Sequence, residues 1–240
     1  FMMAIFNILN YIFQITMAKM LGPSEYGILA ALMSIMYIFG IPSEAIQTIV
    51  SRYTSKFNVK GEYGKIKDLL IRSLKKSMII SFFLFIIFVI ISFLFISNFL
   101  NIPPYLLVIT GLLIVISFIL PISRGILQGR KKFLALGFNL ISDAGLKIIF
   151  GVLLVFLGFL AYGAITAVVL STLGAFMLSF IFIKEIIKSK RVRAELDDII
   201  KNNIPSLFAI SCIVLMYSLD IILARRFFSP EIAGQYAFVS

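Results

Sequence analysis

Seven apolar runs, each close to 20 residues long, set the terms for this chain. They lie at roughly 1–20, 27–50, 77–99, 104–127, 134–158, 161–183 and 204–227. A helix of about 20 apolar residues crosses the hydrocarbon core of a bilayer. Backbone polar groups cannot face lipid unpaired, so each run is expected to be a helix. None shows the apolar/polar alternation of a strand. The composition agrees: 61% of residues are hydrophobic and the mean hydropathy is +1.08, against about half apolar in soluble domains. The expected class is an all-α integral membrane protein.

Charge placement gives the orientation. Of 22 Lys and Arg residues, eight fall between Arg52 and Lys76, four between Arg124 and Lys132, and six between Lys184 and Lys201. Seven alternating spans put these three segments on one side. Excess Lys and Arg marks the cytoplasmic face, so the N-terminus is expected inside a cytoplasmic membrane. The net charge of +11 follows from this topology, so no nucleic-acid partner is expected. The stretch 61–76 is basic and amphipathic and is expected to lie on the cytoplasmic surface, against membrane lipid. The first run lacks the charged leader and small-residue cleavage site of a signal peptide. It is read as a true first helix whose leading residues are absent.

A short repeat adds to the plan. Residues 19–27 read KMLGPSEYG and residues 226–234 read RFFSPEIAG. Lys19 matches Arg226, Pro23 matches Pro230, Gly27 matches Gly234 and Ala30 matches Ala237. Six spans separate the copies, and an even number of crossings restores the chain's direction. The copies are therefore expected to form a parallel repeat about an axis along the membrane normal. The implied plan is a six-helix lobe at 1–190, a cytoplasmic inter-lobe linker at 191–203, and the start of a second lobe at 204–240. The rest of that second lobe is the expected partner of this one.

Polar residues inside spans are costly and by default mark a pathway or a site. In the first span Asn7, Asn10 and Gln14 share a face. In the second, Gly40–Pro42 is expected to kink the helix, and Glu44, Gln47 and Ser51 follow on one face. In the fifth, Asn139, Asp143 and Lys147 stack at four-residue steps, with Asp143 and Lys147 in the favourable order for an ion pair. In the seventh, Tyr217 and Asp220 share a face, and Arg225 and Arg226 lie near its outer end. Lys147, Lys19, Arg225 and Arg226 are candidates for contact with an anionic headgroup. Glu44, Asp143 and Asp220 are candidates for ion coupling or charge balance. Asn10, Gln14, Gln47, Asn139 and Tyr217 are polar cavity candidates. Mutual neutralisation, snorkelling and helix–helix bonding are the simpler alternatives for these groups. Gly163, Ala167, Ser171 and Ala175 form a small-residue row, which is read as packing.

Enzyme chemistry finds little support. The chain has no His and one Cys, Cys212, so a His base, a disulfide and a Cys/His metal set are all excluded. Asp197 and Asp198 sit among mixed charges on a solvated loop. The expected outer loops are too short for a catalytic domain. No cofactor and no metal are expected.

Several stretches resemble the polysaccharide-biosynthesis membrane proteins, the O-antigen and lipid-linked oligosaccharide flippases of the multidrug/oligosaccharidyl-lipid/polysaccharide superfamily. AKMLGPSEYGILAALMS resembles that family's first outer turn. SRGILQGRKKF, at 123–133, is similar to its inner turn between helices four and five. AYGAITAVVLSTLGA resembles its sixth helix, and LDIILARRFFSPEIAGQYAFVS its seventh helix and the turn that follows. The resemblance implies two lobes around a central cavity. It also implies alternating access that carries a lipid-pyrophosphate-linked glycan from the inner to the outer leaflet. A multidrug/cation antiporter of the same superfamily is the alternative, and a membrane-embedded glycan enzyme a more distant one.

Overall fold

The computed structural model describes residues 1–194 and 219–239. The described residues are helical apart from short turns, as the apolar runs require. The elements are α1 (Met2–Val59), α2 (Tyr63–Ile91), a π-helical turn (Ser92–Ile96), α3 (Ser97–Leu100), α4 (Pro104–Gly129), α5 (Phe133–Leu154), a second π turn (Val155–Phe159), α6 (Leu160–Phe182) and α7 (Lys184–Lys188). A helix over residues 219–227, here α8, leads into α9 (Pro230–Val239). Among the described residues, four stretches are long and apolar enough to cross a membrane: Met2–Val59, Tyr63–Leu100, Pro104–Gly129 and Phe133–Phe182. The chain is a multi-pass membrane protein.

Two of these stretches contain breaks that turn four stretches into six passes. Gly22 interrupts α1 at φ 71°, a left-handed torsion suited to glycine, just before Pro23. Gly158 does the same at φ 88°. The arms of α1 point opposite ways, as their neighbours show. Met2, Asn10 and Phe13 meet Gly137, Lys147 and Gly151 in turn, so residues 2–21 run parallel to α5. Ser43, Gln47 and Ser51 meet Ser117, Gln128 and Gly129, so residues 23–59 run parallel to α4. The turn at Arg130–Lys132 makes α4 and α5 antiparallel.

The break in α1 falls at Gly22, inside the turn expected between the first two spans, while torsions stay helical at Gly40–Pro42. At Pro121 the missing N–H is compensated by a side chain. Pro121 inside α4 leaves the Ser117 carbonyl without its helical donor, and the Ser43 hydroxyl donates to that carbonyl. This bond joins α4 to the second arm of α1. Below it the helices nearly touch: a Cβ on Gly125 would lie 2.7 Å from the Gln47 carbonyl oxygen.

The described parts of all three basic segments gather at one end of the bundle. Arg130 and Lys132 reach Glu185, at 2.7 Å and 3.2 Å. Lys67 donates to the carbonyls of Ile187 and Ser189. Asp68 accepts from Arg191 Nε at 2.7 Å, from the Ala194 N–H at 3.0 Å and from Arg72 at 2.9 Å. The basic stretch 61–76 does not form a separate surface segment. It continues into the third span as the single helix α2. Its apolar residues Ile66, Leu69 and Leu70 are buried with Tyr53, Phe57, Ile122 and Ile126, so its apolar stripe meets protein rather than lipid. Outside the bilayer such burial stabilises by about 2 kcal/mol per large side chain.

A second cluster, with Met17, Leu29, Leu32, Leu106, Leu107 and Ile114 fully buried, fills the membrane-level core. Lipid is as apolar as leucine, so close packing rather than the hydrophobic effect holds this region. The small-residue row of α6 serves it: Gly163, Ala167, Ser171 and Ala175 are all buried. The far face of α2 exposes Phe82, Phe83, Ile87 and Ile90, and the π turn after it exposes Phe93 and Phe95, a surface suited to acyl chains.

Candidate functional site

A line of polar side chains crosses this apolar core from α4 to the first arm of α1. It starts at Arg124, on the turn of α4 after Pro121. Its guanidinium forks across one turn of α5: Nε donates to Asn139 Oδ1 at 2.9 Å, and an Nη donates to Asp143 Oδ2 at 2.8 Å. Arginine suits this geometry, since its planar donors hold two acceptors at fixed spacing. Asn139 is fully buried and passes its own Nδ2 to the Ala175 carbonyl of α6 at 2.6 Å. The small side chain at Ala175 leaves that carbonyl within reach. The other oxygen of Asp143 has no hydrogen-bond partner among the described residues.

One turn further along α5 stands Lys147. Its ammonium donates to Asn10 Oδ1 at 2.8 Å and lies 5.8 Å from the centre of the Phe13 ring. Asn10 donates its Nδ2 to the Phe6 carbonyl, which turns its oxygen towards Lys147. One turn on, Gln14 accepts from the Tyr26 hydroxyl at 3.2 Å and so bridges the two arms of α1.

The Asp143–Lys147 pairing expected from four-residue spacing is not formed. Arg124 takes the carboxylate, and Lys147 turns to a neutral amide on another helix. The carboxylate is buried and its partner arrives from another helix, whereas an exposed i,i+4 contact is worth only about 0.3–0.5 kcal/mol. By formal charge, the line holds two basic groups and one acid.

Of the anionic-headgroup candidates, Lys147 lies in this line. The line is built without the other three. Lys19 and Arg226 are exposed, and Arg226 stacks over Phe99 at 5.2 Å. Arg225 is buried near the far end of α8. Among the acids, Asp143 is central, whereas Glu44 and Asp220 are exposed. Asn10, Gln14 and Asn139 belong to the line. Gln47 instead bonds Gln128 at 3.0 Å, between the second arm of α1 and α4. Tyr217 lies outside the described residues. No group of three or more metal-ligating side chains occurs among the described residues.

Arg124 is the central residue that sequence reasoning overlooks. Counted with Arg130, Lys131 and Lys132, it passes for a loop cation. Its place inside the span 104–127, five residues before Gly129, is the signal that sets it apart. Asp68 and Glu185 are hidden in the same way, as lone acids among basic neighbours.

Comparison with known proteins agrees with this architecture. The sequence matches no protein-family model and no curated protein. Its structure is similar to that of an inward-facing multidrug resistance MATE family transporter of the MOP superfamily, with a TM-score of 0.68 at 14% identity over 98% of this chain. An outward-facing structure of such a transporter gives 0.59 at 15% identity over 93% of the chain. A MOP superfamily transporter from Pyrococcus furiosus, described as having a binding pocket of reverse polarity, gives 0.57 at 16% identity over 93%. The chain spans only 51–56% of these structures. It has the fold of about half of a transporter of this type.

Proposed function

We propose that the protein is a transporter that flips a lipid-linked oligosaccharide or polysaccharide precursor across the cytoplasmic membrane by alternating access. The observation that carries the reading is Lys147, a cation held inside the lobe by an amide while the only acid in the line is committed to Arg124. Such a site favours an anion, and a pyrophosphate headgroup is one. The apolar surface of the lobe suits the lipid tail. The second lobe supplies the other wall, and membrane lipids surround both. The N-terminus lies in the cytoplasm. The protein is not an enzyme on this reading, because it moves its substrate unchanged.

The test is glycan export by the full-length protein in a strain lacking its own copy, with Lys147→Met and Lys147→Arg compared at equal membrane abundance. Export falls at least tenfold in the first and is largely retained in the second. Full export by Lys147→Met removes the reading.

A second reading rests on the unpartnered oxygen of Asp143. A carboxylate oxygen free inside the lobe suits a cation, as a multidrug/cation antiporter requires. Efflux of a cationic dye that depends on Asp143, together with normal export by Lys147→Met, would favour it.

A further inference from the structure

The sequence repeat returns in space as a reciprocal contact. α9 begins at Pro230 and packs against the second arm of α1. A Cβ placed on Gly27 would come within 3.1 Å of Gly234 N and 3.3 Å of the Pro230 carbonyl oxygen. A Cβ placed on Gly234 would collide with the Pro23 carbonyl and lie 2.9 Å from Pro23 Cα. Gly27 thus faces the second copy's proline and glycine, and Gly234 faces the first copy's proline. Each glycine touches the counterpart of what touches the other. A two-fold axis between two equivalent elements produces this exchange of partners. The contact is backbone against backbone, which explains why both copies carry glycine at this place.

The contact lies at the end of the bundle away from the basic segments. Glu25 beside it accepts from the Ala161 N–H at the start of α6, and Arg226 stacks over Phe99 just before α4. At the basic end, the bonds of Glu185 run within the first lobe, and those of Asp68 reach no further than Arg191 and Ala194 at the start of the linker. The two repeat copies therefore touch on the axis at the far end, where each begins the helix after its outer turn.

We infer that the crossing of Pro23–Gly27 with Pro230–Gly234 is a gate between the two halves of the protein. It seals the outer mouth when the helices touch and parts when the mouth opens. The inference rests on the two-lobe transporter reading, and it specifies which residues must separate. A side chain on either glycine holds the mouth ajar. Gly234→Ala acts more strongly than Gly27→Ala, because its Cβ meets the rigid Pro23 carbonyl, whereas the contacts of Gly27 start at 3.1 Å. Gly40→Ala is the control, with no heavy atom within 4 Å of the added carbon.

The experiment is double electron–electron resonance on the full-length protein, with its natural cysteines replaced. Spin labels go on Met20→Cys and Phe227→Cys, two exposed positions beside the contact. The parent shows a short and a long distance. Gly234→Ala removes at least half of the short population, Gly27→Ala removes less, and Gly40→Ala removes none. An unchanged distribution in a folded Gly234→Ala or Gly27→Ala protein overturns the inference. So does a single fixed distance in the parent, which needs no glycine variant to fold. The readout requires no substrate, so a gate that moves in a protein exporting no glycan upholds this inference and removes the glycan reading alone.

Discussion

Asp143 and Lys147 lie one turn apart on α5 and take different partners, and this division gives the line its sign. Arg124 and Asp143 are each largely buried, so the two are strongly dependent on one another. Arg124→Met leaves a carboxylate without its cation and costs about 3–5 kcal/mol. Replacing both, as Arg124→Met with Asp143→Leu, recovers most of that loss. Unfolding of the full-length protein in detergent micelles checks both outcomes. Glu185, outside the spans, gives a pH prediction. Hydrogen bonds from Arg130 and then Lys132 hold its carboxyl below the usual glutamate value. A depressed carboxyl stabilises the fold above its unfolded pKa, and that contribution is lost as pH falls through the folded one. Amide protection in 184–188, corrected for the intrinsic exchange rate, therefore falls on acidification from about pH 5 to below pH 4, and Glu185→Gln shows the lower protection already at neutral pH. The three polar stations of α5 are legible in the sequence from their four-residue spacing. Their partners are not, because a guanidinium arriving from α4 depends on how two helices turn against each other.

At the scale of elements, the limits of the helices are set by charge and turn chemistry, and these the sequence shows well. α4 ends at Gly129, before the Arg130–Lys132 turn, and α6 fills 160–182 almost as its apolar run suggests. The basic stretch 61–76 misleads, because an amphipathic helix reads alike whether its apolar stripe meets lipid or protein. Here Tyr53 and Phe57 supply the protein partner. Torsions stay helical around Pro42, and glycine at 22 supplies the break in the outer turn, which the sequence shows. The Ser43 bond to the Ser117 carbonyl yields a coupled prediction. Ser43→Ala leaves that carbonyl unsatisfied and costs about 1–3 kcal/mol. In a Pro121→Ala background the helical N–H returns, and Ser43→Ala becomes nearly silent. A double-mutant cycle on unfolding in micelles measures this coupling. Asp68, only 1% exposed, ties Arg191 and Ala194 to α2. Asp68→Asn keeps the shape but loses the charge, and raises proteolytic cleavage at 189–194 several-fold.

At the scale of the whole molecule, the six passes among the described residues place the basic segments together at one end and the two repeat copies in contact at the other. Alternating direction along the chain was readable from apolar run length and the grouping of Lys and Arg. The reciprocal glycine contact was not, although its four residues stand out in the sequence, because a repeat gives correspondence and not distance. The central claim is that the lobe carries an anion site at Lys147. Binding of a polyprenyl diphosphate to the full-length protein in nanodiscs tests it most directly, comparing parent, Lys147→Met and Lys147→Arg. The account predicts affinity at least tenfold weaker in Lys147→Met, about 1.4 kcal/mol, and near-parent affinity in Lys147→Arg. Equal affinity in all three would contradict it.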